Sequence, residues 1–178
     1  DFHMHTFFSD GELLPTELIR RCIVKGYTAM AITDHASASN IEELVEKVSR
    51  DADLAWEHWG IRVLPGVEMT HCPPASIAPL ARRAKDAGAK IVVIHGETLV
   101  EPVPPGTNRA SVECPDVDVL AHPGLLTEEE AALAAANNVF LEVTSRRGHC
   151  LGNGNTVLLA RAAGARILVN SDTHSPSA

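Results

Sequence analysis

The sequence predicts an α/β domain built from parallel βα units, and three observations predict it. Seven short apolar runs alternate with helix-patterned stretches along the 178 residues. The runs are continuously apolar, which suits a sheet covered on both faces. No GxGxxG or GxxxxGK(S/T) occurs, so an open nucleotide-binding sheet lacks its usual signature. Crossovers of one hand leave two architectures open, a barrel or a doubly wound sheet. With 45% hydrophobic residues and no repeat or linker, residues 1–178 read as one domain. The chain begins at Asp1 and stops just after His174, so both ends are expected to be trimmed.

The first run, 1–6, carries His3-x-His5, and a period of two places both imidazoles on one face. A Ser9-Asp10-Gly11 turn follows. Pro15 to Lys25 reads as a helix with Leu18, Ile19, Cys22 and Ile23 on its apolar side, closed by Gly26. The second run, 28–33, leads straight into Asp34-His35. Asn40 and Glu43 have capping-box spacing and open a long helix toward Trp59-Gly60. The third run, 61–67, ends in Glu68. Pro73-Pro74 introduces a helix through Lys85, and the fourth run, 90–94, ends in His95.

Residues 96–106 are rich in Pro and Gly and read as a long loop, followed by a short helix over 107–113. The fifth run, 117–121, ends in His122. Thr127 and Glu130 form a second capping-box pair before a helix of alanines and leucines. The sixth run, 139–143, opens into a polar loop holding Arg146, Arg147 and His149. After a helix to Ala163, the seventh run, 166–170, ends in Ser171-Asp172-Thr173-His174.

Fifteen basic and 23 acidic residues give a formal charge of −8, which argues against a broad basic surface for nucleic acid. Bound metal ions could still supply positive charge locally. Cys22, Cys72, Cys114 and Cys150 show no CxxC pairing, so free thiols and a cytoplasmic location are expected. No apolar run is long enough for a bilayer, and no signal peptide is visible.

Six of the nine histidines, His3, His5, His35, His95, His122 and His174, lie on or just after an apolar run. Asp34, Glu68 and Asp172 occupy equivalent places. In a βα barrel these ends share the rim where active sites are built. His58 sits inside the long helix and reads as surface, whereas His71 and His149 fall in loops on the same rim. Zinc takes about four ligands, so this set implies two or three ions. Imidazole with carboxylate suits zinc, manganese or iron. Such ions generate hydroxide at neutral pH and clamp the oxygens of a displacement at phosphorus, so phosphate-ester hydrolysis is the expected chemistry. No GxSxG elbow points to covalent acyl transfer.

These motifs resemble those of the PHP (polymerase and histidinol phosphatase) family. His3-x-His5-Thr6 with Ser9-Asp10-Gly11 resembles its first motif, and Thr33-Asp34-His35 its second. Gly66-Val67-Glu68, His95 and His122 fit the middle motifs, and Ser171-Asp172-x-His174 the last. The resemblance implies a distorted seven-stranded (β/α)7 TIM-like barrel with a trinuclear metal site. It implies that His3, His5, Glu68 and Asp172 hold one ion, and that Glu68 bridges to a second on His95 and His122. Asp10, His35 and His174 would hold a third. Asp34, pointing away from its neighbour His35, is left out. Glu68, Asp172 and His174 are the expected catalytic residues.

Three functions are weighed. A phosphomonoesterase acting on a small phosphorylated molecule ranks first, with histidinol phosphate the candidate the resemblance implies. A nuclease or other phosphodiesterase ranks second, given the acidic charge and the absence of polymerase-like sequence in these residues. A metal-binding scaffold without activity ranks third, since a scaffold has no need of every ligand. Arg146 and Arg147, with His149, are the expected phosphate-binding residues, because guanidinium forks match phosphate oxygens. Only 4% of residues are aromatic, and Phe7 and Phe8 make a short stacking platform at best.

Overall fold

A computed structural model describes residues 1–177. Strands β1 (Ala29–Ile32), β2 (His35–Ala36), β3 (Arg62–Met69), β4 (Ile91–His95), β5 (Val119–Ala121), β6 (Phe140–Thr144) and β7 (Ile167–Asn170) all pair in parallel. They form a curled sheet in the order β1-β3-β4-β5-β6-β7, with β2 also on β3. Helices α1 (Pro15–Val24), α2 (Ile41–Trp59), α3 (Ile77–Asp86), α4 (Thr107–Glu113), α5 (Glu128–Asn137) and α6 (Asn153–Ala163) fill the connections.

Two expectations about strands are corrected. Segment 1–6 is not a ladder strand; only Met4 pairs, in one parallel bridge to Thr173. The ladders therefore form a half-barrel, and a closed seven-stranded barrel is not what they show. Segment 1–6 nevertheless lies between β1 and the chain beyond β7. Its carbonyls at Asp1 and Met4 accept from Ala31 and Thr33, and the His5 amide donates to the Thr173 carbonyl at 2.9 Å. The run at 28–33 supplies β1, and beyond Thr33-Asp34 a second short strand, β2, follows at His35–Ala36.

Cover on both faces holds for β4, whose five residues are all buried. It fails at β7, where Val169 is 71% exposed. The two capping boxes part ways. Thr127 and Glu130 cap α5 reciprocally, whereas Asn40 makes no cap bond to α2. Its side chain is committed elsewhere, accepting from the Ser37 amide and donating to the His35 carbonyl. The main core packs α2, α3, α5 and α6 against β3 to β6 through residues such as Ile41, Ile77, Ala134 and Leu141. This packing makes the strand ends a rigid platform for the polar groups they carry.

Candidate metal centre

Parallel strands end together, so their last side chains converge. Register pairs His35 with Glu68 across β2 and β3, and Glu68 with Val93 on β4, two residues before His95. His122 follows β5 immediately and Asp172 lies two residues beyond β7, and they take φ of 28° and 53°. Left-handed backbone is uncommon for residues with a Cβ, and its clustering at one rim marks a functional constraint. Asp10 arrives by the turn after segment 1–6. A Cβ at Gly11 would sit 2.6 Å from the His5 carbonyl oxygen, so only glycine lets that turn fold back so closely. Asp34, fully buried, anchors the same turn by accepting at 2.7 Å from the Thr6 amide, the Thr6 hydroxyl and the Ser9 hydroxyl.

Glu68 lies at the centre. Its Oε1 is 3.3 Å from His3 Nε2 and 3.4 Å from His122 Nε2, and its Oε2 is 3.6 Å from His5 Nε2 and 2.8 Å from His35 Nδ1. Asp172 Oδ1 lies 3.3 Å from His5 Nε2, and its Oδ2 lies 3.7 Å from His122 Nε2. Asp10 Oδ1 lies 3.1 Å from His174 Nε2 and 3.4 Å from His35 Nε2. Every expected ligand, His3, His5, Asp10, His35, Glu68, His95, His122, Asp172 and His174, is thus brought to one cluster.

The donor set fits divalent cations. His3 donates Nδ1–H to Glu142 at 2.7 Å, His35 donates Nδ1–H to the Thr70 hydroxyl at 2.6 Å, and His95 donates Nδ1–H to the Gly96 carbonyl at 3.2 Å. Each partner holds the Nδ1–H, so that in the neutral ring the Nε2 lone pair faces inward, as metal-ligating histidines require. His3 Nε2, His5 Nε2 and both Glu68 oxygens are buried without a hydrogen-bond partner among the described residues. Buried groups this polar are normally satisfied, so the cluster's chemistry calls for cations. Groups whose ligand atoms lie within 4.8 Å of one another include His3–His5–Asp172, His3–Glu68–His122 and His5–Asp10–His35–His174.

Crowding sets the charges. Burial alone would lower the pKa of His35, but Asp10 and Glu68 raise it to about 10. Burial, with Glu68 repelling a second negative charge, raises Asp172 to about 6 against the attraction of His3 and His122. His95 is pushed down to about 4, by burial first and by His122 and His149 after it. His95 is therefore neutral, the form that ligates.

Of the residues expected to bind phosphate, Arg146 reaches the cluster and Arg147 is exposed to solvent. Arg146 Nη1 donates to the Asp172 carbonyl at 3.1 Å and to His174 Nδ1 at 2.6 Å, and its Nε lies 3.6 Å from Asp172 Oδ2. His149 is buried against His122, ring centres 4.4 Å apart, with its Nε2 on Glu101. A cavity of about 120 Å³ opens here, walled by Asp10, His35, Glu101, Arg146, Asp172 and His174 among others. His58 is exposed, as its helix position predicts.

Two residues escaped the sequence reading. Glu142 lies on β6, fully buried, holding His3, the His122 amide at 3.1 Å and Asn170 at 2.8 Å. Its signal was a lone acid inside an otherwise apolar run. Glu101 lies in the loop 96–106 and meets His71, His95 and His149. Loop residues carry no periodicity, so nothing local marked it.

Comparison with known proteins agrees with this geometry. The PHP domain matches residues 1–139, and Glu142, Arg146, His149, Asp172 and His174 of the site lie beyond the match. An uncharacterised protein of Methanocaldococcus jannaschii is 51% identical over 177 residues, covering 99% of this chain and 81% of that one. The DNA polymerase/3'-5' exonuclease PolX of Bacillus subtilis is 28% identical over 193 residues, and the chain spans 34% of its length and aligns over 98% of its own. A crystal structure from Listeria monocytogenes, provisionally assigned as a histidinol phosphatase, superposes with a TM-score of 0.71 at 12% identity, covering 99% of this chain and 96% of that one. The chain belongs to the PHP domain family.

Proposed function

We propose that this protein hydrolyses terminal phosphomonoesters of small molecules at a cluster of two to three divalent ions, zinc, manganese or iron. The observation that carries the reading is Glu68, a fully buried carboxylate ringed by imidazoles, with neither oxygen hydrogen-bonded among the described residues. In this reading His3, His5, Glu68 and Asp172 hold one ion, Glu68, His95 and His122 a second, and Asp10, His35 and His174 a third. Bound there, the ions supply hydroxide at neutral pH and neutralise the phosphate oxygens. Glu68 would serve two of these positions, and Asp172 and His174 line the cavity beside the ions they would hold. Arg146, fixed by its bonds to the Asp172 carbonyl and His174, offers its remaining donors to the phosphate. Arg147 has no place in this reading.

Cavity size supports the monoester. The cavity, about 120 Å³ and lined by Arg146 beside the ligand cluster, suits a compact terminal phosphate. A net charge of −8 also disfavours long anionic strands. The similarity to PolX supports a second reading, a nuclease acting at a strand end. The test compares kcat/KM for an aryl phosphate, a dinucleotide and single-stranded DNA at matched metal and salt. The monoester is expected to lead by about tenfold or more; a preference for oligonucleotides would make this a nuclease.

A further inference from the structure

Glu101 is a carboxylate that neither the motif pattern nor the family's ligand set uses. Its Oε2 lies 3.2 Å from His95 Nε2 and 3.1 Å from His71 Nε2, and its Oε1 lies 3.2 Å from His149 Nε2. His95 already donates Nδ1–H to the Gly96 carbonyl at 3.2 Å, so Nε2 is the ring atom it turns toward Glu101. An imidazole nitrogen and a carboxylate this close need a proton or a metal ion between them. Ligand atoms of His71, His95 and Glu101 all lie within 4.8 Å of one another. The Nδ1 atoms of His122 and His149, on the same side, are buried without a partner among the described residues.

The loop is built to hold this carboxylate in place. Glu97 accepts from the Gly106 amide at 3.0 Å and the Asn108 amide at 2.9 Å, and Asn108 donates to the Pro123 carbonyl at 2.8 Å. These bonds clamp the two ends of the loop together. At its tip Val100 packs on Gly148, which has φ of +88° and where a Cβ would meet Val100 at 3.4 Å. Glycine there admits both the turn and the contact, and it ties Glu101 to the loop that carries His149. His71 holds φ of 53°, left-handed backbone uncommon for a residue with a Cβ, and its Nε2 lies on Glu101.

We propose that Glu101 is a ligand of the cation bound to His95, delivered by the loop 96–106, with His71 and His149 as positioning residues that donate to it. One Nε2 lone pair serves one ion, so this is the ion that Glu68, His95 and His122 hold in the proposed cluster, and the inference rests on that reading. Glu101 is 38% exposed where Glu68 is 1% exposed, which makes it the ligand that an entering phosphate oxygen can displace.

The experiment loads the full chain with zinc or cobalt(II) and reads stepwise Kd by chelator competition, together with the cobalt absorption spectrum. Glu101→Gln is expected to weaken one equivalent by about tenfold or more and to change the spectrum, with Glu101→Asp recovering part of both. His71→Asn and His149→Asn should weaken the same equivalent by less. Thermal melts, with exposed His58→Ala as control, report folding. Unchanged Kd values and spectrum in Glu101→Gln overturn the inference. So does a fall in kcat with binding intact, which would place Glu101 on the substrate instead. A wild-type protein that binds no ion overturns the proposed function itself, whereas normal wild-type binding with an indifferent Glu101→Gln overturns this inference alone.

Discussion

His3 and Glu142 face each other 2.7 Å apart with both side chains fully buried. The carboxylate comes from β6, 139 residues away in sequence. It fixes which His3 nitrogen faces the cluster, and it also accepts from the His122 amide and Asn170. Glu142→Gln should keep the shape but lose the charge behind His3, lowering metal affinity by roughly 10–100-fold. Glu142→Ala strands buried donors and should destabilise the fold by about 3–5 kcal/mol. Chelator competition and denaturant melts check the two. Wild-type affinity in Glu142→Gln would show that the carboxylate does not tune the site.

Burial alone would disfavour a charged His3, but Glu142, Glu68 and Asp172 outweigh it and hold its pKa well above the ordinary value. Ligation needs the neutral ring, so binding should release a proton and metal affinity should rise with pH up to the folded pKa of His3. Stability of chelator-treated protein should run the other way. A raised folded pKa contributes stability that is full below the unfolded value, about 6.5, and is lost as pH rises through the folded one. Calorimetry in buffers of different ionisation heat measures the proton; no proton uptake by buffer would refute the assignment.

Glu68 touches His3, His5, His35 and His122. Glu68→Gln should therefore disturb two ions at once, and elemental analysis should find fewer than the two to three expected per chain. Full occupancy with full activity would remove its bridging role.

Arg146 and Arg147 are adjacent, yet only Arg146 is bonded to the cluster. Arg146→Ala should raise KM about tenfold or more, one strong charge-assisted contact, while Arg147→Ala leaves it within about twofold. Equal effects from both substitutions would mean the loop acts through its charge alone.

Much of this site was legible in the sequence, because side chains at the ends of parallel strands must share a rim. His95 and His122 follow from the end of an apolar run, and His3 and His5 from a period of two. Thr127 and Glu130 announced their helix start because a capping box is local. What depends on distant partners was decided only by tertiary structure. Asn40 had the cap spacing, but its side chain is taken by Ser37 and His35 once β2 packs on β3. Segment 1–6 has a strand's composition, yet bonds to both neighbours without forming a ladder. Arg146 and Arg147 are chemically alike in sequence, and only the backbone after β6 gives one to the site and the other to solvent. Glu142 and Glu101 reach their histidines across gaps in sequence that no local pattern encodes. Composition and period determined which groups stand at the rim, and packing determined what stands behind each of them.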